Sequence, residues 1–225
     1  MMSEYTICNI LNAERNHYYS YKNQLNKTWA KDGMTHNYSS LRGKKMAVLG
    51  SGEIGNEISR MFKQGFEIRT VAALVKNERQ ASENGNVENY YTNLNKLLEE
   101  HGQELDYLVS VLPSTKHTKN LLSESVFSQL KNCLFVNIGR GDICTEESII
   151  EALDKKYLRH AVLDVVPIEP LPVDSKLWTH PNVIVTPHVS GKDNNEDICR
   201  LFLDNLDLYL RGDKLKYLVN VEQEY

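Results

Sequence analysis

The 225-residue chain has no apolar run approaching the length of a membrane span, so no spanning helix is expected. It has no excess of positive charge. The formal net charge is -4, which leaves no basic footprint for nucleic acid. It has only four cysteines (Cys8, Cys133, Cys144, Cys199), with no C-x-x-C and no metal-ligand spacing. They read as reduced thiols of a cytoplasmic protein, not as a disulfide framework or a metal site. The opening MMSEYTICN lacks the basic region and apolar stretch of a signal peptide. There is no internal repeat and no low-complexity segment. What is present is a chain that is 41% hydrophobic, enough for a real core in one large domain or one and a half.

The stretch the chain is organised around is KMAVLGSGEIGNEISR, Lys45–Arg60. An apolar run, Met46–Leu49, leads into Gly50, Ser51, Gly52, Glu53, Ile54 and Gly55, a G-x-G-x-x-G. Ile54, Ile58, Met61 and Phe62 then recur at helical spacing. Strand, turn and helix in that order are the context in which this motif means dinucleotide binding. The first glycine makes the turn, the second admits a pyrophosphate, and the third lets helix and strand pack closely. The free N–H groups at the helix start favour the diphosphate. Glu53 is expected to turn outward, away from that negative charge.

Upstream, Ser3–Ala30 has helical periodicity, with Tyr18, Tyr21, Leu25 and Trp29 on one face and Ile7, Ile10 and Leu11 continuing it. Lys31–Ser40 reads as a linker. From Leu41 onwards strands and helices alternate. Strands are expected at Met46–Leu49, Glu67–Val75, Asp106–Leu112, Cys133–Ile138, Ala161–Val166 and Val183–Thr186. Helices are expected at Ile54–Lys63, Leu94–Glu100, Glu124–Leu130 and Glu146–Lys155. Gly65 and Gly102 are candidate terminators, and Ser123 and Thr145 candidate N-caps. This alternation predicts an α/β fold, a Rossmann-type doubly wound parallel sheet with helices on both faces. Pro167–Pro181 carries four prolines and is expected to loop over the carboxyl edge. Asn195–Leu210 is a final amphipathic helix, and Leu215–Val219 a short strand.

Three strand ends carry chemistry. Gly139-Arg140-Gly141 follows one, Pro167-Ile168-Glu169-Pro170 the next, and Pro187-His188-Val189-Ser190-Gly191 the last. In a parallel sheet all three reach the crevice edge. A histidine can pass a proton to an oxygen while hydride moves to carbon. A glutamate beside it holds the imidazole. An arginine offers two parallel N–H bonds to a carboxylate or a polarised carbonyl. Each also has an ordinary reading: a solvated turn arginine, a surface glutamate, a packed loop histidine. The other six histidines (His17, His36, His101, His117, His160, His180) and the acidic pairs Glu99-Glu100 and Glu146-Glu147 are taken as structural or solvated.

The segments LGSGEIG, VLPSTKHTKNLL, FVNIGRGD, LDVVPIEPLP and NVIVTPHVSG, in this order and spacing, resemble the D-isomer-specific 2-hydroxyacid dehydrogenase family from about Leu41 to Leu210. The resemblance implies catalysis by Arg140 (substrate carboxylate and carbonyl), Glu169 (orienting the histidine) and His188 (acid/base). It implies reversible reduction of a small 2-oxoacid such as glyoxylate or hydroxypyruvate by NAD(P)H, and a homodimer. The expected cofactor contacts are Gly50, Gly52, Glu53, Ile54, Gly55, Lys76, Pro113, Thr118, Ile138, Gly139, Asp164 and Gly191. Asp164 would hold the nicotinamide carboxamide.

Two departures from the family follow. The match begins inside the helix that normally leads into the cofactor domain, so the first half of a flavodoxin-like substrate domain is missing. Residues 1–40 then read as a remnant of that domain, 41–191 as the dinucleotide-binding domain, and 192–225 as a return to the substrate side. Half the cleft would lack a wall. A second reading follows from this: a dinucleotide-binding, dimerising module with little or no turnover. The other departure is at the tip of the second strand, Val71–Asn77, which has no acid for a ribose 2′-hydroxyl. Lys76 and Arg79 lean towards the 2′-phosphate of NADP, while Glu78 keeps NAD open.

Overall fold

The computed structural model describes residues 1–31, 33–81 and 85–219. In chain order the elements are α1 (Met2–Glu14), α2 (His17–Leu25), α3 (Gly33–His36), β1 (Lys45–Leu49), α4 (Glu53–Phe66), β2 (Arg69–Leu74), β3 (Tyr90–Tyr91), α5 (Leu94–His101), β4 (Tyr107–Ser110), α6 (Glu124–Phe127), β5 (Cys133–Asn137), α7 (Glu146–Asp154), β6 (Leu158–Leu163), β7 (Val183–Val185) and α8 (Asn195–Arg211).

The strands form one seven-stranded sheet in the order β3-β2-β1-β4-β5-β6-β7, every pair parallel. Side chains alternate across it with the two-residue period of a strand. Ala47, Leu49, Leu108, Phe135, Ala161 and Leu163 face a core closed by Leu97 and Leu98 of α5, Phe127 of α6 and Ile149 of α7. Met46, Val48, Tyr107, Val109, Leu134, Val136 and Val162 face a second core, closed by Ile10 and Ala13 of α1 and Ile58 and Phe62 of α4. The predicted doubly wound sheet is therefore present. The strand order reverses between β1 and β4, and a ligand crevice opens at the carboxyl ends beside such a switch point. Among the described residues no helix is long and apolar enough to cross a membrane.

Several local expectations need correction. The helix expected over Ser3–Ala30 is broken after Glu14. Asn16 sits at φ 50, a left-handed conformation that asparagine tolerates, and its amide donates to Met34 O at 2.8 Å. Only the part before the break is buried. Tyr18, Tyr21, Leu25 and Trp29 are exposed. Gly65 does not end α4, which runs on to Phe66 and stops where Glu67 turns left-handed at φ 55. β6 begins three residues earlier than expected and ends at Leu163, leaving Asp164, Val165 and Val166 in the crevice loop. Tyr90–Tyr91 adds an edge strand that its two-residue length concealed. The strand expected at Leu215–Val219 is absent, and those residues form a turn and irregular chain. Glu146 is not merely solvated. It accepts Ser175 Oγ at 2.7 Å and Lys176 N at 2.9 Å, anchoring the proline-rich loop to α7.

α1 is tied to the sheet at both ends. Near its C-terminus the buried Glu14 accepts from Tyr107 Oη at 2.8 Å and from Arg159, which also lies over the Tyr107 ring. Burial, with the charge of Glu14 beside it, pushes the Tyr107 hydroxyl far up. Near its N-terminus Tyr5 Oη meets Thr186 Oγ1 at 2.5 Å.

Candidate active site

The glycine turn takes its form from close approach. Gly50 has φ 98, and a Cβ on Gly55 would stand 2.0 Å from Gly50 O, so the start of α4 can press against the end of β1 only with glycine there. Gly52 is different. A Cβ there meets nothing within 4 Å. It leaves open space over the N-terminus of α4, which no side chain caps. A pyrophosphate fits a cradle of this kind, with free N–H groups beneath and no side chain above. Glu53 and Ile54 are exposed at its mouth. Arg79, beyond the tip of β2, folds back and donates to Ser51 O at 2.7 Å, which sets a cation on the glycine turn. Lys76 lies exposed two residues past β2.

The loop after β4 comes next across the switch point. Thr118 Oγ1 donates to Pro113 O at 2.6 Å and accepts from Thr115 N at 2.8 Å, so this hydroxyl ties the loop to itself. The loop presses on the turn after β5. A Cβ on Gly139 would lie 2.6 Å from Leu112 O. One on Gly141 would lie 2.0 Å from Val166 O. The two glycines therefore let three crevice loops touch backbone to backbone, with Arg140 between them. Asn137, buried at the end of β5, sets that turn. Its amide donates to Arg140 O at 3.0 Å and its oxygen accepts Gly139 N at 3.2 Å. Arg140 is exposed and donates to Gly139 O at 2.7 Å. Ile138 is buried beneath it.

Glu169 and His188 come together directly. His188 Nδ1 lies 2.9 Å from Glu169 Oε2, and Glu169 Oε1 accepts Val166 N at 3.2 Å. An ionised carboxylate only accepts, so Nδ1 carries the proton and Nε2 is the bare nitrogen of the neutral ring. The pair stands open to solvent, with side-chain exposures of 53% for His188 and 40% for Glu169. Arg140 is bonded to neither.

His188 is held at φ 57, where a side chain is rarely found. Its N–H donates to Asp164 O at 2.9 Å. Asp164, 1% exposed, spends its carboxylate on the same loop: Oδ1 accepts Thr186 Oγ1 at 2.5 Å and Val189 N at 2.9 Å, and Oδ2 accepts Ser190 N at 2.8 Å. Burial would raise this carboxyl, but the hydrogen bonds from Ser190, Thr186 and Val189 outweigh it and hold it below its ordinary value. Gly191 closes the loop against Met2 of α1.

Sequence reasoning missed Asn137, Thr186 and Tyr5. The signal for Asn137 was there, as the one amide ending an otherwise apolar buried strand. The thiols hold to their ordinary reading where buried: burial pushes Cys133 well up and Cys144 to about 12.

A glycine turn at the switch point of a parallel sheet, with a hydrogen-bonded His–Glu pair on the loops beyond it, defines a Rossmann-type dinucleotide-binding fold. The sequence profile of the D-isomer specific 2-hydroxyacid dehydrogenase, NAD binding domain, matches residues 7–190, and the chain belongs to that family. It is 34% identical over 183 residues to a glyoxylate/hydroxypyruvate reductase B of Enterobacter sp. (strain 638), covering 80% of this chain and 55% of that protein. The chain thus spans about half the length of such relatives. Among solved structures, a probable 2-hydroxyacid dehydrogenase from Rhizobium etli CFN 42 in complex with NADP, HEPES and L(+)-tartaric acid has a TM-score of 0.84 at 26% identity, over 100% of this chain and 69% of that one. An NADPH-dependent glyoxylate/hydroxypyruvate reductase from Sinorhizobium meliloti, in complex with NADP and sulfate, has the same TM-score, identity and coverage.

Proposed function

We propose that the chain carries the cofactor-binding and proton-transfer half of a reversible NAD(P)H-dependent 2-oxoacid reductase acting on glyoxylate- or hydroxypyruvate-like acids. The observation that carries this reading is the Glu169–His188 pair at 2.9 Å, on the same carboxyl edge of the sheet as Arg140 and the glycine turn. The dinucleotide, when bound, supplies or accepts the hydride. Everything else falls to the chain, with residues 41–191 as the cofactor-binding unit. Arg140 takes the substrate carboxylate and polarises its carbonyl with paired N–H groups. His188 Nε2 delivers the proton to the carbonyl oxygen and retrieves it in the reverse direction. Glu169 fixes the ring's tautomer and stabilises its charged form. Pro113, Thr118, Ile138, Gly139, Asp164 and Gly191 border the nicotinamide side.

NADP is favoured over NAD. Arg79 is already docked on the glycine turn at Ser51 O, and no carboxylate ends β2. Two solved relatives hold NADP, which supports the same choice. Exposed apolar side chains on α2 (Tyr18, Tyr21, Leu25) and α8 (Ile198, Phe202, Leu206, Tyr209) support association with a second copy.

A second reading, a cofactor-binding module with little turnover, is favoured by the solvent exposure of the His188–Glu169 pair, since carbonyl reduction runs best where water is excluded. Calorimetry with NADPH and NADH, followed by turnover with glyoxylate and hydroxypyruvate, separates the two. Binding with turnover that His188→Ala abolishes is expected. Binding without turnover selects the module. Binding of neither cofactor refutes both.

A further inference from the structure

The loop that carries His188 is gripped from a direction the catalytic chemistry does not require, by a helix at the other end of the sequence. We propose that Tyr5 on α1 is a positioning residue for His188, acting through Thr186 and Asp164. The inference rests on the proton-transfer role given to His188 above.

The hydrogen-bond directions are fixed by counting protons. The Asp164 carboxylate is ionised and can only accept, so the single proton of Thr186 Oγ1 goes to Oδ1 across 2.5 Å. Thr186 Oγ1 must then accept from Tyr5 Oη, also at 2.5 Å. Burial pushes the Tyr5 hydroxyl up to about 12, so it keeps the proton it donates. The result is a one-way chain of donors, Tyr5 to Thr186 to Asp164, in which each bond polarises the next.

Its far end surrounds His188. Asp164 accepts from the two N–H groups that follow the histidine, Val189 and Ser190, while the Asp164 carbonyl accepts from His188 N itself. These bonds fix both sides of a residue held at φ 57 and so aim its ring at Glu169. Packing points the same way independently. Gly191, at the end of the loop, lies so close to α1 that a Cβ there would stand 3.1 Å from Met2 Cγ. With the Tyr5 hydroxyl removed, Thr186 is free to turn its proton elsewhere. Asp164 then loses one of its three side-chain partners, and the constraint on the His188 ring loosens.

The test reads the ring directly and needs no turnover. The 225-residue chain is labelled with 15N-histidine, and His188 is identified by the signals that His188→Gln removes. In the unsubstituted chain the neutral ring is the Nδ1–H tautomer. Tyr5→Phe is expected to lose that preference while the other six histidines keep their signals. Thr186→Val should do the same, Thr186→Ser should retain the tautomer, and Tyr5→Phe with Thr186→Val should change it no further than either alone. With glyoxylate and NADPH, Tyr5→Phe should lower kcat about fivefold, the worth of one hydrogen bond, at unchanged NADPH affinity. Wild-type His188 signals in Tyr5→Phe, or additive effects of the two substitutions, overturn the proposal. Turnover surviving in His188→Ala would sink the proton-transfer reading instead, and the tautomer comparison would still decide the Tyr5 relay.

Discussion

Replacing Gly141 with alanine puts the geometry of the crevice to a direct test. The added Cβ would lie 2.0 Å from Val166 O, 2.1 Å from Val166 C and 2.7 Å from Val166 Cα. All three are backbone atoms, so no rotamer change relieves the clash, and the two loops must part by more than an ångström. Val166 N is the donor that holds Glu169 Oε1, and Arg140 is the neighbour of the new side chain. The displacement therefore reaches both sides of the site. Overpacking of this kind costs about 1–3 kcal/mol of stability. A shift of roughly 1 Å at reacting groups costs about 100-fold in rate. The glycine turn is untouched, so NADPH affinity should stay within about twofold, a change below 0.5 kcal/mol. Urea unfolding, NADPH fluorescence titration and steady-state turnover with glyoxylate measure the three quantities on one preparation. Wild-type stability together with wild-type turnover in Gly141→Ala would refute the claim that this contact sets the spacing of the loops.

Three further outcomes are expected. Arg79→Ala should weaken NADPH binding about tenfold and leave NADH binding alone, as loss of a charge-assisted phosphate contact requires; equal effects on both cofactors in calorimetry would refute the assignment. Glu14→Ala strands Arg159 and the Tyr107 hydroxyl near the core and should cost about 3–5 kcal/mol by urea midpoint. His160 is held below its ordinary value, by burial first and then by the charge of Arg159. As pH falls below about 6.5 the unfolded chain binds a proton that the folded chain does not, so stability should fall. His160→Asn should flatten that part of a pH series of unfolding midpoints, and an unchanged slope would show that the ring titrates freely.

The residues differ in how far a linear reading could reach them. The placement of Arg140, Glu169 and His188 at one edge was legible because parallel strands deliver every strand end there, so three loops could be compared before their contacts were known. The alternation from Met46 onwards was legible for the same reason: each strand is a local apolar run. What a linear reading could not reach depends on partners far away in the chain. β6 starts at Leu158 rather than Ala161 because Arg159 is paired with Glu14, 145 positions distant, which makes a polar residue acceptable in the sheet. Nothing local to Asp164 shows that its carboxylate holds a loop 22 to 26 residues later. The stripe Tyr18, Tyr21, Leu25 and Trp29 has helical spacing but stands exposed, with no surface among the described residues to lie on. The pressure on Gly139 and Gly141 is a matter of space, which a G-R-G string does not display.

The double attachment of α1 makes that helix a gauge of length. Tyr5 and Glu14 are nine residues apart, about 13.5 Å of helix at 1.5 Å per residue. They reach opposite edges of a sheet whose central strands have four or five residues, about 13–17 Å at 3.3 Å each. The two lengths match, and the phase of the helix fixes the count. One residue inserted between Tyr5 and Glu14 would swing one end by about 100° around the helix axis and unhook it. α2, by contrast, buries no side chain. Natural variation in chain length should therefore be better tolerated in α2 than between Tyr5 and Glu14.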